Sequence, residues 1–244
     1  MPIVTFFRAL VLLALIGVAV LATLAIGRRA PQDVPWGSLD LGDPVGRFTG
    51  AKLIALGGDP PLCRALLDRA GIGHVALPSR RAGPNCGYSD GVRAHPGGPL
   101  AIVYRPAIGA RCGVIAALAV WEWNVVQPAA QDHFGSRVVA IEDYGTYSCR
   151  AIGGGRAGNG RSLSEHASAN AVDIAGFRLA NGRRVTIARD WTDAGPAGAF
   201  LHDVRDGACR LFGTTLSPDY NAAHRDHLHL DQASRGAGAW RACR

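Results

Sequence analysis

The distribution of apolar and polar residues divides the chain unevenly. From Ala9 to Ile26 run 18 residues without a charge, all apolar or glycine except Thr23. As a helix this run spans about 27 Å, enough to cross the hydrocarbon core of a bilayer. It has no polar face, so it does not read as a helix packed on one side of a globular core. Arg8 precedes it and Arg28 and Arg29 follow, so flanking charge does not orient it, and no Ala-x-Ala signal stands before Arg28. The expectation is an uncleaved anchor over residues 1–29 with its amino terminus in the cytoplasm. A cleaved signal peptide is the alternative.

Beyond the anchor the pattern shortens. Residues 30–50 are rich in Pro, Gly and Asp and read as a linker, leaving 51–244 as the folded domain. Asp59 followed by Pro60 has the form of a helix start and Gly71 of its end, around a stripe of Leu62, Ala65, Leu66 and Ala70. Residues 79–98 read as a long loop pinned by Cys86, and Leu100 to Tyr104 as a strand. Gly113 to Val126 has the composition of a buried helix carrying Trp121 and Trp123 as core residues, ended or kinked by Pro128.

Arg137 to Ile141 is β-branched enough for a strand. Residues 171–179 and 184–188 flank Asn181-Gly182 and predict a hairpin. An amphipathic helix over 196–212 would bury Phe200, Leu201, Val204, Ala208, Leu211 and Phe212, ending at Gly213, before a last strand over 220–231. The fold class expected is α+β: a small antiparallel sheet with flanking helices, preceded by the transmembrane helix.

Composition sharpens this picture in two ways. With 48% hydrophobic and 18% charged residues in 244, the chain buries one good-sized core. Its formal charge of +7 rests on arginine, since Lys52 is the only lysine. Arginine's planar fork suits carboxylate and phosphate partners, yet no basic run interleaved with aromatics points to nucleic acid. The six cysteines, at 63, 86, 112, 149, 209 and 243, contain no Cys-x-x-Cys and suit disulfides in an oxidising compartment. Nearest-neighbour pairing (Cys63 with Cys86, Cys112 with Cys149, Cys209 with Cys243) is the working expectation.

The candidate chemistry lies in two stretches, Ser164-Glu165-His166-Ala167-Ser168-Ala169-Asn170-Ala171-Val172-Asp173 and His224-Arg225-Asp226-His227-Leu228-His229. His166, Asp173 and His229 make a set of two imidazoles and a carboxylate, the donors a catalytic Zn²⁺ takes when its fourth position stays open. Such spacings also arise by chance; the context raises the odds, because Asp173 opens a predicted strand and His229 sits on one whose alternation puts His227 on the same face. His227 is then the candidate general base, and Asp226 competes with it only if a bulge turns it inward. Glu165 points away from the set and reads as structural. His74 and His95 have no partners at metal spacing and read as ordinary histidines.

Ser-x-His-x6-Asp followed by His-x-His resembles the zinc peptidases that cut D-amino-acid links in bacterial cell wall, and His-x-x-His-x-His at 224, 227 and 229 looks like the penicillin-insensitive murein endopeptidases. Over residues 35–244 the chain is similar to the bacterial extensin-like C-terminal domain family, through PWGSLDLGDP, CGVIAALAVWEWNVV, YSCR, LSEHASANAVDIAGFRLANGR and HRDHLHLD. The resemblance implies a hedgehog/DD-peptidase-like fold, a single-pass inner-membrane protein with its domain in the periplasm, and peptidoglycan as partner and substrate.

It also implies roles. Arg150, in Tyr147-Ser148-Cys149-Arg150, matches an arginine that holds substrate or transition state, with Arg156 as runner-up. Ser164 and His224 would contact substrate, and Asp226 occupies the place where dipeptidase relatives carry a glutamate. Ala169 departs from the family's usual glycine, which strains the turn if a positive φ is needed there. The alternative function is a wall-binding or structural envelope protein that keeps the fold without catalysis.

Overall fold

A computed structural model of the chain describes residues 2–83, 85–95, 102–153, 162–236 and 240–244. Helix α1 (Pro2–Arg29) is the apolar run, with Arg28 and Arg29 in its last turn, and it is long and apolar enough to cross a membrane. Among its interior residues Thr23 satisfies its hydroxyl on the Ala19 carbonyl at 2.7 Å.

The segment expected as a free linker is docked on the domain. Gln32 is buried along with Val34 and Leu41, its carbonyl accepts the Phe48 N–H, and its side-chain amide donates to Asp43 at 3.2 Å. Gly46 permits the close approach, since a Cβ there would stand 2.6 Å from the Gln32 carbonyl carbon. Pro, Gly and Asp mark irregular backbone, which need not be solvated backbone.

Two short helices come next, α2 (Thr49–Ala55) and α3 (Pro60–Arg69). Asp59 caps α3 as expected, accepting the Leu62 N–H at 3.0 Å. The buried face is Cys63, Leu66 and Leu67, whereas Leu62 of the expected stripe is 47% exposed. Strand β1 (His74–Ala76) follows, and the expected loop over 79–98 contains short strands, β2 (Arg80–Arg81), β3 (Gly87–Tyr88) and β4 (Gly91–Ala94). Then come β5 (Val103–Arg105) and β6 (Gly109–Arg111); the start of the expected strand at Leu100 lies outside the described residues.

Helix α4 (Cys112–Trp121) is buried at every position and forms the centre of the molecule. It does not stop near Pro128. A π-helical turn over Glu122–Val126 carries it into α5 (Gln127–Phe134), which closes at left-handed Gly135. Proline has no N–H and crowds the preceding turn, and the widened turn accommodates it without a break. Trp121 is fully buried and donates to the Val204 carbonyl at 2.9 Å.

The remaining elements are β7 (Val138–Asp143), β8 (Ala171–Leu179), β9 (Arg184–Thr186), α6 (Ile187–Asp190), α7 (Pro196–Leu211), β10 (Thr214–Leu216), β11 (Leu228–Asp231) and β12 (Ala242–Cys243). Residues 187 and 188 are thus helical, and residues 220–227 form turns that only reach a strand at Leu228. Among the described residues the main sheet orders β12-β10-β11-β8-β7-β5, with β9 also on β8. Its pairings are antiparallel except β5 with β7 and β10 with β12, so the architecture is α+β as expected, with parallel strands at both margins.

An irregularity in β8 decides which of its residues share the outer face. Val172 and Ile174 face the core, and so do Phe177 and Leu179, although 174 and 177 differ in parity. The switch is a bulge: Glu142 pairs with Gly176 but Asp143 with Ile174, leaving Ala175 over. Asp173, Gly176 and Arg178 therefore lie together on the outer side. On the inner face Phe177 meets Phe200 of α7 edge-on at 5.0 Å and Trp121 at 6.1 Å.

The disulfides join Cys63 to Cys112, Cys86 to Cys149 and Cys209 to Cys243. Only the third agrees with nearest-neighbour pairing. The first two cross because α3 packs on α4, which sets Cys63 opposite Cys112, and the β2–β3 hairpin lies over the Tyr147 turn.

Candidate metal centre

Three elements bring the expected donors together. His229 and Asp173 are direct cross-strand partners in β11 and β8, so their side chains rise side by side from the outer face. The core side of the same strands is Leu228, Leu230, Val172 and Ile174, all fully buried, and this alternation fixes which way the polar residues point.

His166 comes from a short 3₁₀ turn, Glu165–Ser168, beside the sheet. Ser164 caps that turn, accepting the His166 N–H at 3.4 Å, and Ala169 ends it at φ 55°. The position therefore does demand the left-handed region that a glycine adopts freely, at a cost to alanine of about 1 kcal/mol. Asn170 donates to the Glu165 carboxylate at 2.6 Å, and its carbonyl accepts the Gln232 N–H, tying the turn to β11. Glu165 is structural.

The geometry is tight. His166 Nε2, Asp173 Oδ1 and His229 Nδ1 form a triangle with edges of 3.0, 2.9 and 3.1 Å, and the three residues are 2%, 8% and 8% exposed. The remaining nitrogens are also engaged. His166 Nδ1 faces the Thr146 carbonyl at 3.0 Å, and His229 Nε2 faces Asp231 Oδ2 at 3.2 Å.

Both of those partners only accept, so each assigned nitrogen carries a proton, and the opposite nitrogen, when free of a second one, presents a lone pair. Three donor atoms then converge on one point, which a metal ion or a proton on His229 Nδ1 reconciles. Four-coordinate ligands at about 2.0–2.1 Å from an ion stand roughly 3.3 Å apart, only a few tenths more than these edges. The residues fit a metal ion.

The electrostatics agree. Burial opposes charge on Asp173, but hydrogen bonds and charge from His166 and His229 outweigh it and hold the carboxyl well below the usual range. Burial likewise opposes charge on His229, yet Asp173 and Asp231 push it up to about 9, so without a metal a proton on Nδ1 neutralises the centre.

The other expected residues divide. His227 precedes β11 instead of lying in it, but its Nε2 still reaches 3.6 Å from Asp173 Oδ1, and its Nδ1 donates to Asp226 at 2.9 Å. Asp226 thus orients His227 and does not enter the centre. Arg150 places Nη2 3.9 Å from Asp173 Oδ2, over the ligands.

His224 stacks near His227 at 5.2 Å and His229 at 6.1 Å; burial, then the neighbouring histidines, lower it to about 4. Ser164 is used as a cap, its backbone N–H donating to the Arg150 carbonyl, and Arg156 lies outside the described residues. Two groups escape a reading of the sequence. Asp231 sits two residues after His229, the signal that would find it; Tyr144, 60% exposed and edge-on to His227 at 5.8 Å, has none.

This is an α+β domain with a buried His/Asp/His cluster that would accept a metal, stapled by three disulfides and preceded by an apolar helix. The family described as Extensin-like protein C-terminus matches residues 61–244, and the chain belongs to it. No curated protein and no solved structure matches the chain.

Proposed function

We propose that the chain is a zinc-dependent peptidase of the hedgehog/DD-peptidase-like kind, held in the inner membrane by α1 and hydrolysing peptide bonds of peptidoglycan in the periplasm. The observation that carries the reading is the convergence of three buried donor atoms, with the imidazole tautomers set by Thr146 and Asp231. Two neutral imidazoles and a carboxylate are a zinc donor set, and three disulfides suit the oxidising side of the membrane. Bound Zn²⁺ supplies Lewis acidity, polarising a carbonyl and making water nucleophilic near neutral pH.

The chain's own residues supply the rest. His227 Nε2 is the free basic nitrogen beside the ligands, because Nδ1 is committed to Asp226; it takes the proton of an attacking water and passes it to the leaving amine. Arg150 aims a guanidinium at the same space, where it neutralises a developing oxyanion or a substrate carboxylate. His224, neutral at physiological pH, offers a hydrogen bond at the rim.

Digestion of purified muropeptides, analysed by mass, tests the reading. Wild type with one equivalent of zinc should release fragments, EDTA should stop it, and His229→Ala should neither bind zinc nor cut. A protein that binds one zinc and binds murein without cutting it would leave the wall-binding alternative in its place.

A further inference from the structure

Beside the metal centre, on the same outer face of the sheet, lies a hollow of about 460 Å³ lined in part by Arg105, Glu142, Asp143, Tyr144, Arg178 and Arg184. Its floor comes from register. Arg105, Glu142, Gly176 and Thr186 are successive partners across β5, β7, β8 and β9, and Gly176 contributes no side chain to that row.

Arg178 and Arg184 are cross-strand partners one step on, and Glu142 lies between them. It accepts from Arg178 at 2.6 Å and from Arg184 Nε at 2.9 Å, which offsets the repulsion of two like charges placed opposite. Arg105 makes no side-chain hydrogen bond or ion pair with any described residue, so the rim carries three guanidinium groups against the carboxylates of Glu142 and Asp143, and only Arg178 and Arg184 are engaged with Glu142.

Tyr144 stands between the hollow and the metal centre. Tyr144 lines the hollow and lies edge-on to His227, and its N–H donates to the Asp173 carbonyl. Gly176 is three residues along β8 from Asp173, about 10 Å of strand, which an extended peptide covers in roughly three residues.

We propose that this hollow is a substrate subsite in which Arg105, with the outer edge of Arg184, binds a free carboxylate of the peptide, about three residues from the bond under attack. The inference rests on the peptidase reading for the identity of its ligand. A planar fork pairs with a carboxylate through two parallel hydrogen bonds, and an unpaired guanidinium beside an occupied one is poised to accept a second acid. The bulge at Ala175 is what makes the arrangement possible: without it Asp173 and Arg178, five residues apart, would project from opposite faces.

The experiment compares a muropeptide whose stem carboxylates are free with the same muropeptide carboxamidated, on the full chain and on Arg105→Gln. Arg105 is exposed and has no side-chain partner among the described residues, so the substitution leaves the fold intact, as a melting curve would verify. Binding is read by calorimetry with zinc-free protein, where no turnover is needed, and KM is read with zinc-loaded protein.

The wild type should prefer the free acid by about tenfold in both readings, and Arg105→Gln should lose the preference. Equal affinity for acid and amide in the wild type, or an unchanged preference in Arg105→Gln, overturns the subsite. A preference that Arg105→Gln abolishes, in a protein that never hydrolyses, keeps the subsite and removes the peptidase reading. Hydrolysis that ignores the carboxylate does the reverse.

Discussion

Two buried carboxylates lie on opposite faces of the sheet, and their environments could hardly differ more. Asp173, on the outer face, has two imidazoles and Arg150 around it and stays ionised. Glu122, in the π-helical turn on the inner side, has only the Tyr104 hydroxyl as a side-chain hydrogen-bond partner among the described residues, and burial pushes it up to about 8. A protein that merely needs to hide an acid protonates it, as at Glu122. Keeping Asp173 charged takes a set of partners aimed at one point, and such a set could hold a metal ion.

The sharpest way to break the contrast is to remove a ligand. Asp173→Asn should abolish stoichiometric zinc, measured by elemental analysis, and lower muropeptide release by at least roughly a thousandfold. His227→Ala should retain zinc while the rate falls by about 10²–10⁴, which separates the proton-transfer group from the ligands. Asp231→Ala should weaken zinc by about 10- to 100-fold in a chelator competition, because His229 loses the acceptor that sets its tautomer.

The other carboxylate should leave the metal centre untouched and show itself only in stability. The folded state holds the Glu122 proton up to about pH 8, while the unfolded chain releases it near 4.5. Between those values the unfolded state binds fewer protons, so stability falls as pH rises, by a few kcal/mol across the window. Glu122→Gln should flatten that decline in denaturant melts at pH 5 and pH 8 and leave zinc binding as it was.

Parts of the fold and site are legible in the sequence because local physics decides them. The Asn181-Gly182 hairpin forms as expected, with Gly182 at φ 87°, and Asp59 caps α3 through its own side chain. Asp173 and His229 converge because alternation along β8 and β11 leaves their polar faces one direction in which to point, and His166 joins them from the turn that Ser164 caps.

What stays hidden depends on packing between distant segments. Cys63 finds Cys112 only because α3 lies against α4. The Ala175 bulge interrupts an apparently regular apolar run, and no residue in it announces where the face turns over. Alternation puts His227 on a strand that in fact begins one residue later, yet its ring arrives at the same point because Asp226 holds it.

The docking of residues 31–48 has a mechanical side. Only Ala30 separates the end of α1 from the first residues packed on the domain, and Lys52 clasps the Pro31 carbonyl at 2.5 Å. With α1 embedded in a bilayer, the domain would ride on a stub and not a leash. Its working radius would be its own diameter, roughly 40 Å for a domain of this size. Polymer lying next to the membrane would be in range, and anything further out would have to come to it.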